Sequence, residues 1–147
     1  MKICIVTGSR AEFFLLKELI ININKEKKFK SFVLVTGSHN SSLFGNTIKD
    51  IKKSKIKINA EIDLKLKNDK PNDISKYLSY GIRKFSFWLE RIKPDLLVIL
   101  GDRYEIFSAV IAAQIYRIPI AHIYGGETTQ GVIDEGIRHS ITKFSHV

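Results

Sequence analysis

The sequence has little of what marks a secreted, membrane-spanning or metal-binding protein. Its 147 residues include one cysteine, Cys4, so no internal disulfide can form. Cys4 lies in an apolar run, where burial would make it an unreactive hydrophobic residue, and a reactive thiol is the alternative. No window holds the ~18 apolar residues of a membrane span, and Arg10 and Glu12 end the first apolar run before it reaches signal-peptide length. No histidine pair has metal-ligand spacing. We therefore expect a cytoplasmic protein with no membrane association and no bound metal.

The net charge of +9 is the one bulk property that suggests a nucleic-acid partner. The lysines, however, are scattered through residues 17–70 with acids between them, and they form no arginine-rich stripe with an aromatic stacking platform. We expect no nucleic-acid partner and keep a basic nucleic-acid-associated domain as an alternative. Attraction of a small anionic substrate fits the charge better.

Apolar runs of strand length alternate with helical stripes along the whole chain. The predicted strands are Ile3–Thr7, Ser31–Thr36, Ile56–Ile62, Pro94–Leu100 and Pro119–Ile123, and the predicted helices are Ala11–Asn22, Gly45–Lys53, Pro71–Ile92, Tyr104–Tyr116 and Asp134–Ser145. Asp73 is the predicted cap of the long third helix, which Gly81 weakens locally. The alternation indicates an α/β fold: a Rossmann-like parallel sheet with helices on both faces, in the strand order 3-2-1-4-5 and as one domain over residues 1–147.

Three polar clusters each follow a predicted strand and precede a predicted helix: TGSRAE at 7–12, GDRYE at 101–105 and HIYGGETTQGVIDEGIRH at 122–139. Open α/β sheets bind ligands outside the carboxyl ends of their strands. We therefore expect the three clusters to share one edge and to form a binding or catalytic site.

Arg10 and Arg103 each place a cation at the start of a helix, where the helix dipole is already positive. This arrangement indicates an anionic partner, and two cations with two helix N-termini suit a diphosphate. Gly8 permits close backbone approach. The alternatives are that Arg10 pairs with a carboxylate such as Glu12, and that Asp102 only caps the next helix beside a solvated Arg103.

Four acids belong to the same predicted edge: Asp102, Glu127, Asp134 and Glu135. Carboxylates held close together acquire different pKa values, which suits them to act as an acid and a base. The alternative is that the helical acids form ordinary surface pairs, Asp134 with Arg138 and Glu135 with His139. We interpret the lone histidines His39 and His122 as structural rather than catalytic.

Four blocks of the sequence resemble the hydrolysing UDP-N-acetylglucosamine 2-epimerases, in the branch that makes precursors of sialic and legionaminic acids: TGSRAEF at 7–13, GSHNSSLFGNTI at 37–48, GDRYEIFSAVIAA at 101–113 and HIYGGETTQGVIDEGIRHSITK at 122–143. The resemblance implies the amino-terminal half of a glycosyltransferase-B-like fold, with the second, nucleotide-binding domain absent from this chain. It also implies conversion of UDP-N-acetylglucosamine or a related nucleotide sugar to UDP and a free N-acetylmannosamine-type sugar, with no metal or redox cofactor and with a homodimeric assembly.

The resemblance also implies residue roles. Asp102 and Asp134 would be catalytic, with Glu135 of similar standing. Many relatives carry a catalytic glutamate where this chain has Tyr124, and Glu127 would either share the role of that glutamate or only order the loop. The implied substrate-binding residues are Gly8, Ser9, Arg10, His39, Arg103, Gly125, Gly126 and Arg138. Half a cleft cannot exclude water, so we expect the 147-residue chain alone to be inactive or nearly so. The alternative is a non-catalytic module that binds a nucleotide sugar or a partner.

Overall fold

The computed structural model describes residues 1–40, 47–128 and 133–147. Within these ranges strands and helices alternate in the order β1 (Lys2–Thr7), α1 (Arg10–Lys25), β2 (Lys30–Val35), a 3₁₀ turn (Gly37–Asn40), α2 (Ile48–Lys53), β3 (Ile58–Glu61), α3 (Pro71–Ile92), β4 (Leu96–Leu100), α4 (Tyr104–Ile115), β5 (Ile120–Ile123) and α5 (Ile133–Phe144). The predicted start of the second helix, at Gly45, lies outside the described residues.

The strands form one parallel sheet in the order β3-β2-β1-β4-β5, which confirms the predicted order. The central strand β1 pairs with both β2 and β4, and Ile3 lies opposite Ser31 on one side and Leu96 on the other. The chain therefore changes direction across the sheet between β1 and β4. The loops after these two strands diverge to opposite faces and leave a crevice at the carboxyl edge.

Helices cover both faces of the sheet, as the sequence predicted. Side chains alternate along β1, so that Ile5 belongs to the core under α1 and α2, while Cys4 belongs to the core under α3, α4 and α5. Phe13 from α1 and Phe85 from α3 are among the largest fully buried side chains of the two cores. Burial raises the pKa of Cys4 to about 12, so this thiol stays protonated and unreactive at neutral pH.

Three local predictions need correction. The cap of α3 is Lys70, with Pro71 at the first helical position, whereas Asp73 lies inside the first turn and binds Lys76. The strand β3 is shorter than the predicted Ile56–Ile62. Gly81 is not a weak point, because it lies where α3 meets α4, and a Cβ there would be 2.5 Å from Ser108 Oγ.

No helix within the three described ranges is both long enough and apolar enough to cross a membrane.

Candidate functional site

The carboxyl edge of the sheet, which we call the rim, consists of the loops after β1, β2, β4 and β5. The β1 loop is ordered by a cap: Ser9 precedes α1, and its Oγ accepts a hydrogen bond from the Glu12 N–H at 3.3 Å. The Glu12 carboxylate in turn accepts the Gly8 N–H at 2.6 Å. The reciprocal bonds resemble a capping box and fix the loop before any ligand arrives.

Arg10, the first residue of α1, projects away from this cap. Its side chain is 65% exposed, its Nε lies 3.5 Å from Asp50 Oδ2, and its guanidinium lies 5.5 Å from the centre of the Phe14 ring. The paired carboxylate is therefore Asp50 of α2 and not Glu12. An exposed pair of this kind contributes little, so an anionic ligand can compete with Asp50 for Arg10.

The loops after β1 and β2 touch directly. The Gly8 carbonyl accepts hydrogen bonds from Ser38 N at 2.8 Å and Ser38 Oγ at 2.9 Å. Gly37 has a φ of +61°, and a Cβ on it would lie 2.6 Å from Gly8 O and 3.1 Å from Glu105 Oε1. Glycine is therefore needed at position 37, where backbone and a buried carboxylate close in together.

Arg103 and Glu105 form an ion pair at the rim in which the carboxylate is fully buried. Arg103 Nε donates to both Glu105 oxygens at 3.2 Å, and Nη2 lies 3.2 Å from Oε1. Glu105 is fully buried, and burial is the main cause that raises its pKa, against the lowering effect of Arg103. Burial also raises the pKa of Glu12 to about 7, and the charge of Glu105 adds to this rise.

Asp102 is held by Arg138 and does not cap α4, whose cap residue is Arg103. Arg138 Nε donates to Asp102 Oδ2 at 2.9 Å, Nη2 binds the same oxygen, and Nη1 donates to the Glu127 carbonyl at 2.9 Å. One guanidinium thus ties α5 and the β5 loop to the β4 loop. Asp134 lies one helical turn before Arg138, on the same face of α5.

The predicted surface pair of Glu135 and His139 is present, with His139 Nε2 at 3.5 Å from Glu135 Oε1. This contact occupies Glu135 on α5, whereas Asp102 of the neighbouring loop contacts Arg138. The structure therefore brings Asp102, Arg138 and the Glu127 backbone into direct contact and gives Glu135 a partner on its own helix.

The two histidines at strand ends have structural contacts. His39 is fully buried, with Nε2 3.1 Å from Thr7 Oγ1 and Nδ1 2.8 Å from Thr47 Oγ1. Burial lowers its pKa to about 4, so the ring is neutral at physiological pH. His39 therefore supports the β2 loop from below rather than being exposed at the rim.

His122 joins the β4 and β5 loops. Its Nε2 lies 2.8 Å from the Gly101 carbonyl, which can only accept, so Nε2 carries the hydrogen. Its Nδ1 then accepts from Thr142 Oγ1 at 3.1 Å, and burial lowers the pKa of the ring. A Cβ on Gly125 would lie 2.8 Å from Thr142 Oγ1 and 2.9 Å from His122 Nδ1. Gly125 is thus needed for packing.

The neighbouring residues leave the rim open. Gly126 has a φ of +80°, and a Cβ there would meet nothing within 4 Å. Tyr124 also has a positive φ, of 62°, and is 55% exposed. A bulky residue in the left-handed region is uncommon and costs about 1 kcal/mol or more.

Sequence reasoning missed the two buried acids, Glu12 and Glu105. Each lies in the first turn of a helix and within two residues of a predicted site arginine, and this proximity was the available signal. In the described part of the chain, no group of three or more His, Cys, Asp or Glu side chains is arranged to hold a metal ion. Residues 129–132 of the third polar cluster and 41–46 of the second resemblance block lie outside the described residues.

The matching family profile and the two relatives described next, found by sequence comparison, are named as 2-epimerases. The profile of the UDP-N-acetylglucosamine 2-epimerase family matches residues 21–147. A Campylobacter jejuni GDP/UDP-N,N'-diacetylbacillosamine 2-epimerase (hydrolyzing) is 44% identical over 146 residues, which cover 99% of this chain and 38% of that protein. A Legionella pneumophila UDP-N,N'-diacetylbacillosamine 2-epimerase (hydrolyzing) is 36% identical over 145 residues, with coverage of 99% and 38%.

Comparison with solved structures finds proteins of the same family. The structure of the Neisseria meningitidis UDP-GlcNAc 2-epimerase bound to UDP-GlcNAc superposes with a TM-score of 0.84 and 25% identity, over 99% of this chain and 38% of that one. The chain spans about 38% of the length of the curated relatives it matches. Its sheet is that of the amino-terminal domain of these glycosyltransferase-B-like proteins. By profile, identity and fold, the chain belongs to the UDP-N-acetylglucosamine 2-epimerase family.

Proposed function

We propose that the protein to which this chain belongs is a hydrolysing 2-epimerase of nucleotide-linked 2-acetamido sugars, and that the rim is the amino-terminal half of its active-site cleft. The observation that carries the proposal is the Asp102–Arg138 pair, which lies on the rim next to the Arg103 loop. It places a fixed carboxylate beside a cation and the open N-terminus of α4. The family membership of the chain supports the same reaction.

The proposed reaction has two steps. In the first, the bond from sugar C1 to the diphosphate oxygen breaks, its electron pair leaves with UDP, and a base removes the C2 proton to give a 1,2-unsaturated glycal. In the second, water adds its hydroxyl to C1 and a proton reaches C2 from the opposite face. The products are UDP and a free sugar of manno configuration.

The rim has groups suited to each requirement. Asp102, oriented by Arg138, is the candidate for stabilising the positive charge that develops at C1 or for accepting the C2 proton. Asp134, one turn before Arg138, is the second acid–base candidate, with Glu135 and Glu127 as neighbours. Arg10 and Arg103, with the N–H group of Ser9 and the two helix N-termini, suit the diphosphate.

The relatives also rank the substrates to be tested. The 44% and 36% identical relatives are named for N,N'-diacetylbacillosamine, and a Neisseria meningitidis relative at 30% is named for UDP-N-acetylglucosamine. A UDP-linked 2,4-diacetamido sugar is therefore the first choice, and UDP-N-acetylglucosamine is the second.

The test is nucleotide release by the protein expressed from its full reading frame. UDP-N,N'-diacetylbacillosamine, its GDP analogue and UDP-N-acetylglucosamine are supplied separately, and we expect one of them to yield free nucleotide and a manno-configured sugar. Asp102→Asn should lose at least about a hundredfold in kcat while binding survives. Asp95→Asn, at the opposite end of β4, is the matched control.

Two other outcomes are informative. The 147-residue chain alone should bind weakly and turn over little or nothing, because half a cleft does not exclude water. Saturable nucleotide-sugar binding by the full protein, with no product from any donor, would replace the proposal with a non-catalytic binding module.

A further inference from the structure

Glu105 is a buried charge whose surroundings are built around it. The carboxylate has no exposed surface and lies in the first turn of α4. A buried carboxylate is costly unless it is paired and hydrogen-bonded. Its partner is Arg103, which meets both oxygens through Nε and one of them through Nη2, each at 3.2 Å. Three contacts through a planar fork fix the orientation of the guanidinium, which a single contact would not.

The guanidinium is held from a second side as well. Its carbon lies 5.7 Å from the centre of the Tyr104 ring, and the Tyr104 hydroxyl donates to Asp69 at 3.1 Å. The Arg103 side chain is still 37% exposed. Nη1 has no acceptor among the residues that the structure describes, so its two N–H donors are available to a ligand at the rim.

The Glu105 carboxylate also lies close to the β2 loop, on the other side of the rim. A Cβ on Gly37 would lie 3.1 Å from Glu105 Oε1 and 2.6 Å from the Gly8 carbonyl. The Arg103–Glu105 pair therefore lies next to the place where the β1 and β2 loops meet, with no room for a side chain at Gly37. Through Glu105, Arg103 is held in a defined position relative to the backbone of Gly8 and Ser9.

We propose that Glu105 is a positioning residue for ligand binding: its buried carboxylate holds Arg103 so that the Nη1 edge faces the anionic part of the ligand. This inference rests on the proposed function, because it takes the diphosphate of a nucleotide sugar as that anion. It adds a residue that does not itself touch the ligand.

Glu105 can also act against ligand binding, by lowering the net positive charge at Arg103. A carboxylate beside Arg103 also cancels part of its positive charge, which weakens the attraction for any anion. If cancellation dominates, removal of the Glu105 charge tightens ligand binding. If positioning dominates, removal weakens it.

The test is a double-mutant cycle on the protein from its full reading frame, with binding of UDP-N-acetylglucosamine and of inorganic pyrophosphate measured by calorimetry. Arg103→Ala should weaken binding roughly 10- to 100-fold, and Glu105→Gln should weaken it about tenfold. The double variant should bind within about twofold of Arg103→Ala alone, since Glu105 acts only through Arg103. Glu18→Gln, an exposed acid on α1, is the matched control.

Unchanged or tighter binding by Glu105→Gln overturns the proposal, and so do multiplicative losses in the double variant. Circular dichroism and thermal unfolding identify a variant that has lost its fold, in which case Glu105→Asp, which keeps the charge on a shorter stem, takes its place in the cycle.

The NMR resonance of the Arg103 Nε–H group distinguishes the positioning role from a purely structural role of Glu105. In the parent protein it should shift when pyrophosphate or the nucleotide sugar is added, and in Glu105→Gln it should be broadened and should not shift. If pyrophosphate perturbs Arg103 but no nucleotide sugar is bound or hydrolysed, the positioning role stands and the proposed function fails. If neither probe perturbs Arg103 in the parent protein, the positioning role is wrong.

Discussion

Replacement of Glu12 by glutamine should stabilise the protein at alkaline pH. Glu12 is 5% exposed, accepts the Gly8 N–H at 2.6 Å, and interacts with the charges of Glu105 and Arg103. Glutamine has nearly the same shape and can accept the same N–H, but it carries no charge at any pH. The substitution therefore tests the cost of ionising a carboxyl group at this position.

The sign follows from proton linkage. Burial raises the pKa of Glu12 from 4.5 to about 7, so between these values the folded protein holds a proton that the unfolded chain releases. The stabilisation from this group is complete below pH 4.5 and is lost as the pH rises through 7. At ~1.4 kcal/mol per pH unit, the gap corresponds to about 3 kcal/mol as an upper value, because a relaxing interior reduces the cost.

The assay is urea unfolding of the 147-residue chain and of Glu12→Gln at pH 5, 6, 7 and 8. The free energy of unfolding of Glu12→Gln minus that of the parent should increase by about 1–3 kcal/mol from pH 5 to pH 8. His39 titrates with the opposite sign: its pKa is lowered to about 4, so its stabilisation is present above pH 6.5 and is lost as the pH falls through 4. Both proteins carry His39, so its effect cancels in the difference.

Glu18→Gln, on the exposed face of the same helix, is the matched control for loss of a carboxylate and is measured alongside. A flat difference for Glu12→Gln, or one that favours the variant increasingly toward acid, would refute the reasoning.

Three further predictions concern packing and the exposed arginine. Gly81→Ala should destabilise the chain by about 1–3 kcal/mol, because its Cβ would meet Ser108. Gly136→Ala in α5, whose Cβ would meet nothing within 4 Å, should stabilise the chain by roughly 0.5–1 kcal/mol. Urea unfolding measures both changes. Gly125→Ala should break the His122–Thr142 contact and lower the unfolding midpoint, with a loss of about 1 kcal/mol. Asp50→Asn should tighten pyrophosphate binding roughly two- to fivefold by releasing Arg10, and unchanged affinity in calorimetry would show that Arg10 does not meet the anion.

The sheet order was predictable from sequence because it depends on pattern. The apolar run at residues 96–100 and the alternation of strands with helices indicate a buried parallel sheet. Right-handed crossovers leave only a few strand orders, and the Rossmann-like one is the order that the structure has. The same rule predicted that the loops after β1 and β4 lie side by side.

Pairwise contacts at the rim were less accessible to sequence reasoning. Asp50 lies forty residues after Arg10, and Arg138 lies thirty-six after Asp102, so neither pair has the local spacing that identifies helical neighbours. Gly81 illustrates the same limit, since helix propensity assigns a cost to glycine, while the benefit comes from the close approach of α4. Burial of a first-turn acid such as Glu105 depends on which loop lies over it, and here that loop comes from β2.

The most direct measurement follows the hydrogen on sugar C2 during nucleotide release. The protein from its full reading frame is incubated in D₂O with the donor that it hydrolyses, and proton NMR monitors C2 of the free sugar. Elimination followed by water addition predicts a manno-configured product with deuterium at C2, and none above background with Asp102→Asn. A product that keeps its original C2 hydrogen and gluco configuration would show simple hydrolysis and would contradict the assignment of the rim as a 2-epimerase site.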